Sequence, residues 1–170
     1  MRILIFILLL CVGHHNCLPQ SRITLIYTSQ IGVVEATGRN DGKQVEAYLK
    51  AVNLGKGYPW CAAFVKWCFV QLGTKNKINA MALSCDRPGH YVYFKGNKIR
   101  TPQPGDVFTL YYAKLKRIGH TGFFDKDVNG KIYRSVEGNT NSAGSREGDG
   151  VYIKYRSYKA TYSINRWLEN

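Results

Sequence analysis

Acidic side chains are scarce in this chain: 11 Asp and Glu stand against 24 Lys and Arg. The formal net charge is +13 and the pI is about 9.6, which points to an anionic partner: nucleic acid, an anionic membrane or a cell-wall polymer. Long basic blocks are missing, however. The densest local group is Lys114, Lys116 and Arg117. Zinc-finger spacing, a helix-turn-helix pattern and an RNA-binding aromatic signature are also missing, so no nucleic-acid partner is expected. Nor is there a hydrophobic run long enough to span a bilayer. Ile3 to Val12 is too short for that, and behind Arg2 it reads as the apolar part of an export signal. A signal over residues 1–20 is therefore expected, cut before Ser21, with Cys17 as a weaker lipidation candidate. The protein is expected in the periplasm or outside the cell, with no membrane span after processing. Repeats and linkers are absent, so residues 21–170 read as a single domain, of a length that supports one core.

Cysteine is sparse as well. Of five, Cys11 and Cys17 fall in the signal, leaving Cys61, Cys68 and Cys85. An odd number in an exported chain implies at least one free thiol. Cys68 can bridge Cys85 or simply pack in the core, and the sequence leaves both open. His14 and His15 also fall in the signal and are not read as metal ligands.

What the chain does have is Gly57-Tyr58-Pro59-Trp60-Cys61-Ala62-Ala63-Phe64-Val65-Lys66-Trp67-Cys68. Gly57 and Pro59 break the preceding structure. From Cys61 to Leu72 no Gly or Pro intervenes, and Ala62, Val65, Phe69 and Leu72 recur at helical spacing. Gly73 stops the run where a C-terminal glycine is favoured. Cys61 is thereby placed in the first turn of a helix. Unpaired backbone N–H groups and the positive end of the helix dipole favour a thiolate there. The same N–H groups can hold an oxyanion.

Further helices are expected around Ile26 to Glu35 and over Lys43 to Asn53, the second with Val45, Tyr48, Leu49 and Val52 on its apolar face. From Thr101 the pattern turns to strands: Asp106 to Tyr112, His120 to Phe124, Lys131 to Glu137, Val151 to Arg156 and Thr161 to Trp167. Helices followed by strands give an α+β fold, with N-terminal helices packed on a C-terminal antiparallel β-sheet.

Asn129-Gly130 is a strong hairpin signal. As a two-residue loop it sets Val128 opposite Lys131, Gly122 opposite Glu137 and His120 opposite Asn139. His120, Glu137 and Asn139 then share one face, with Glu137 diagonal to His120 at about 7–8 Å. A nucleophilic cysteine needs a base, and the base an orienting group. His120 suits the first role, with His90 as a rival. Glu137 or Asn139 suits the second.

Four segments in this order, Gly57–Val65, Gln103-Pro104-Gly105-Asp106-Val107, Gly119-His120-Thr121-Gly122-Phe123 and Val136-Glu137-Gly138-Asn139-Thr140, resemble the CHAP domain, a cysteine- and histidine-dependent amidohydrolase/peptidase of the papain-like NlpC/P60 group. The resemblance implies a papain-like core that cleaves amide bonds in peptidoglycan. It implies Cys61 as nucleophile, His120 as base, Glu137 as the orienting residue and Asn139 as a supporting polar residue. Some members bind calcium through an acidic loop before the cysteine. Asn53-Leu54-Gly55-Lys56-Gly57 carries no carboxylate, so neither metal nor cofactor is expected. A monomer is expected. The competing reading is a non-catalytic wall-glycan-binding module using the same cleft, with Tyr58, Trp60, Tyr91 and Tyr93 stacking on sugars.

Overall fold

The computed structural model describes residues 19–141 and 148–168. The expected signal residues before Pro19 lie outside that range. Helices α1 (Pro19–Thr28), α2 (Lys43–Lys50) and α3 (Cys61–Gln71) come first. Strands β1 (Tyr91–Phe94), β2 (Asn97–Lys98), β3 (Val107–Tyr112), β4 (Arg117–Asp127), β5 (Ile132–Thr140), β6 (Gly150–Ser157) and β7 (Ser163–Asn165) follow. They form one antiparallel sheet in the order β2-β1-β7-β3-β4-β5-β6. This is the expected α+β layout. Among the described residues no helix is long and apolar enough to cross a membrane.

The first helix departs from expectation. It ends at Thr28 and does not run through Ile26 to Glu35. Pro19 suits the first helical position, and Ile23 and Tyr27, one turn apart, are both fully buried. Beyond it Gly32 adopts a left-handed φ of 89°, and Val34 forms a lone bridge to Gly150. The second helix stops at Lys50, because Asn53 turns left-handed (φ 60°) and Leu54 N–H caps back onto Leu49 O at 3.0 Å. The third behaves as its sequence dictates. Ala62, Ala63, Phe64, Val65, Cys68 and Phe69 are buried, so the helix is enclosed on most sides. Gly73 ends it with φ 82°.

The Gln103-Pro104-Gly105-Asp106 turn delivers the chain into β3. Asp106 Oδ2 accepts from Gln103 N at 2.8 Å and also receives the Arg166 guanidinium at 2.9 Å. Gly105 has φ 92°, and a Cβ there would lie 2.5 Å from Ile23 Cγ2, so α1 seats directly on this turn. The core between helices and sheet is largely aromatic. Phe123 stacks on Tyr27 and takes Phe64 and Phe69 edge-on.

The β4–β5 hairpin carries two irregularities that offset each other. Near the tip Asp127 pairs with Tyr133, one residue off the expected register. Asn129 Oδ1 accepts from Lys131 N and Ile132 N, Gly130 is left-handed, and the loop holds three residues rather than two. A bulge between Phe124 and Lys126 then absorbs the extra residue. Phe124 faces Ser135 and Phe123 faces Val136, which is the register the sequence implied.

Gly138 lets β5 touch the helix. A Cβ there would lie 2.8 Å from both Phe64 Cβ and Trp60 Cζ3. Gly138→Ala is expected to destabilise the fold by about 1–3 kcal/mol through overpacking, read as a lowered urea midpoint at unchanged slope.

Candidate active site

Cys61 opens α3, as expected, and is 7% exposed. No acidic side chain lies in the first turn of α3, and no side chain caps it. The positive end of the helix therefore faces the sulfur without a neutralising group. A cleft of about 160 Å³ opens over Cys61, between Tyr58 and Pro59 on one side and Met81, Ala82, Arg117 and Ile118 on the other.

His120 is fully buried on β4. Its Nε2 lies 2.7 Å from Glu137 Oε2. Its Nδ1 has no hydrogen-bond partner among the described residues. The Cys61 thiol is near enough to the ring to help raise its pKa. With Nε2 committed to Glu137, Nδ1 is the nitrogen left open for a proton exchange with the cysteine. Burial alone would lower its pKa, but Cys61 and Glu137 together outweigh burial and push it up to about 9.

Glu137 is also fully buried, and such a carboxylate is costly unless its oxygens are filled. Here they are. Arg156 Nε donates to Oε1 at 2.8 Å, and a terminal nitrogen of the same guanidinium donates to Oε2 at 2.6 Å. Ser135 Oγ donates to Oε1 at 2.6 Å. Burial pulls the carboxyl pKa upward, yet Arg156 and His120 overcome it and hold the group down at about 2. Gly122 makes room for this carboxylate, because a Cβ there would lie 3.0 Å from Glu137 Cγ.

Asn139 does not meet the imidazole. Its left-handed backbone (φ 54°) coincides with a register break between Glu137 and Thr140, so side-chain alternation fails at this point. With its amide oriented by its neighbours, Oδ1 accepts from Trp60 N at 3.0 Å and Nδ2 donates to Gly148 O at 2.9 Å. Asn139 therefore fixes the residue before Cys61. Of the two orienting candidates left open by the sequence, Glu137 is the one on the ring. His90 makes backbone hydrogen bonds with Arg87 and Arg166 and does not line the cleft.

Three supporting residues were not foreseen: Arg156, Ser135 and Glu35. Ser135 was legible in principle, since it precedes Glu137 by two on the same strand and must share its face. Arg156 requires the β5–β6 register, in which it pairs with Tyr133. Glu35 lies outside any motif. Its Oε1 accepts from Trp60 Nε1 at 2.8 Å, and its Oε2 from Asn40 N at 2.9 Å. Trp60 is fully buried and stacks on Tyr48, so it is unavailable to a sugar. Tyr58, 52% exposed, remains at the cleft.

The three thiols are free. Burial pushes Cys85 up to about 12 and Cys68 well above the usual thiol range. Of the three, only Cys61 lines the cleft.

An α+β domain that brings a helix-start cysteine to a carboxylate-bound strand histidine is the class defined here. A family model for the CHAP domain matches residues 53–139, and the chain belongs to that family. Among solved structures the fold is similar to a crystal structure of a wild-type endolysin, LysIME-EF1. The TM-score is 0.54 and the identity 15%, over 88% of this chain and 64% of that one. No curated protein matches the chain by sequence.

The two shifted groups set opposite limits on stability. Glu137, depressed from 4.5 to about 2, stabilises the fold above about pH 4.5, and that contribution is lost as pH falls toward 2. His120, raised from 6.5 to about 9, stabilises it below about pH 6.5, and that contribution is lost as pH rises through 9. Stability from this pair is expected to be greatest between those two values, read by thermal melts across pH. Glu137→Gln should cost about 3–5 kcal/mol in that window, flatten the acid limb and return the His120 titration seen by NMR toward its ordinary value.

Proposed function

We propose that the protein is an exported, cysteine-dependent peptidoglycan hydrolase that cleaves amide bonds of wall peptides. Membership of the CHAP family and the likeness in fold to an endolysin support the substrate class. The observation that carries the chemistry is the fully buried His120, held by Glu137 through Nε2, with Nδ1 unpartnered among the described residues and Cys61 at the start of the helix packed against its strand.

In this reading His120 takes the Cys61 thiol proton, Sγ attacks the carbonyl carbon of the scissile amide, and the first-turn N–H groups of α3 face the oxyanion that forms. The imidazolium of His120 gives its proton to the leaving amine as the C–N bond breaks. A water molecule, deprotonated by the now neutral imidazole, attacks the thioester. The acid is released and the thiol–imidazole pair restored. Glu137 holds Nε2 throughout and favours the charged ring. Asn139 keeps Trp60, and hence the start of α3, in place.

Cys61→Ser is expected to lower digestion of purified sacculi by at least about a thousandfold while leaving the melting temperature near that of the parent. Undiminished digestion would exclude the mechanism. Mass spectrometry of the products separates cleavage at the sugar–peptide junction from cleavage within the peptide.

A further inference from the structure

A second concave surface lies at the far end of β4, roughly 20 Å along the strand from His120 at the usual rise per residue. It has a volume of about 530 Å³ and runs between the tip of the β4–β5 hairpin, the β1–β2 hairpin and the turn after β6. Tyr93 and Tyr158 form its floor, and Lys98, Lys131 and Lys159 its rim. A second groove of about 380 Å³ continues from it, sharing Gly96 and Lys159 and adding Lys95, Tyr111 and Tyr162. Together they make a trough and not an isolated pit.

The floor is built rigidly. Tyr93 is 4% exposed and donates its hydroxyl to Tyr158 O at 2.6 Å. Tyr158 packs in turn on Tyr133 at 5.0 Å between ring centroids. The rim is not neutralised. Among the described residues no carboxylate pairs with Lys98, Lys131 or Lys159. The one acidic residue of the lining, Asp127, is already engaged by the Tyr158 hydroxyl and Gly130 N, each at 2.9 Å.

We propose that this trough is a non-catalytic binding site for a linear anionic glycopolymer of the poly(polyol phosphate) type. An elongated groove with lysines on both sides suits a chain with repeated single charges more than one small anion. Lysine presents a point charge and no guanidinium fork. The apolar floor suits the carbon backbone of a polyol or sugar. A nucleic acid fits less well, because the exported chain of the reading above would not ordinarily meet one. The choice of a wall polymer rests on the peptidoglycan reading; the shape and charge of the trough do not.

The test is binding of fluorescent poly(glycerol phosphate) to the Cys61→Ala protein, full chain, by anisotropy. Lys98→Ala/Lys131→Ala/Lys159→Ala is expected to weaken binding at least about tenfold and to reduce its salt dependence. A control with the same charge loss elsewhere, Lys43→Ala/Lys50→Ala/Lys75→Ala, should change it less than about twofold. Equal losses in the two triple variants, or none in the first, would overturn the site. So would tighter binding of a single-stranded RNA of matched charge. Cleavage of a soluble wall peptide by the trough variant, retaining Cys61, should match the parent. Binding is read without turnover, so failure of the hydrolase reading leaves this outcome independently legible.

Discussion

A carboxylate with no access to water organises this protein. Glu137 is enclosed on every side, and a bare charge there would cost more than the fold can bear. Arg156 from β6, Ser135 from its own strand and His120 from β4 together satisfy it. Three adjacent strands are thereby tied to a single side chain. The same arrangement leaves one imidazole nitrogen bound and the other without a hydrogen-bond partner among the described residues. Structural satisfaction of the acid and preparation of the histidine are one set of bonds, not two.

The cysteine is held by a different device, centred on Trp60. Its indole N–H goes to Glu35, its backbone N–H to Asn139, and its ring to Tyr48. Gly138 brings β5 against the same ring. The strand that carries Glu137 thus reaches the helix start within two further residues. The left-handed turn at Asn139 makes this possible, because it swings the amide out of the strand's regular alternation. The relative position of sulfur and imidazole is therefore fixed from both partners by one short segment, Glu137-Gly138-Asn139.

Much of this was legible in the sequence, for identifiable reasons. The helix from Cys61 followed from uninterrupted apolar periodicity between a proline and a glycine. The His120–Glu137 relation followed from strand alternation and a hairpin signal, yet it held only because a longer loop and a bulge cancel. Periodicity cannot see such compensation. Strand alternation sets Asn139 beside His120, whereas its amide meets Trp60 N and Gly148 O, since a positive φ is invisible to a pattern of alternating faces. Arg156 is not legible in the sequence because its link to Glu137 depends on the β5–β6 register, which no short hairpin signal announces. The first helix starts earlier than its local pattern suggests, because Ile23 and Tyr27 are buried against Gly105 and Phe123, residues far away in sequence that no local periodicity reveals.

That first helix has a consequence for how much of the amino-terminal end is dispensable. Tyr27 stacks on Phe123 and donates to Asp125, while Ile23 fills the space left by Gly105. Phe123 in turn braces Phe64 within α3. Maturation or clipping ahead of Pro19 leaves these contacts untouched. A cut a single helical turn further in would remove the wedge at Gly105, and one past Tyr27 would loosen the bracing of the cysteine's own helix from behind. Proteolytic trimming therefore has an inner limit, written in buried aromatic contacts and not in any recognition motif.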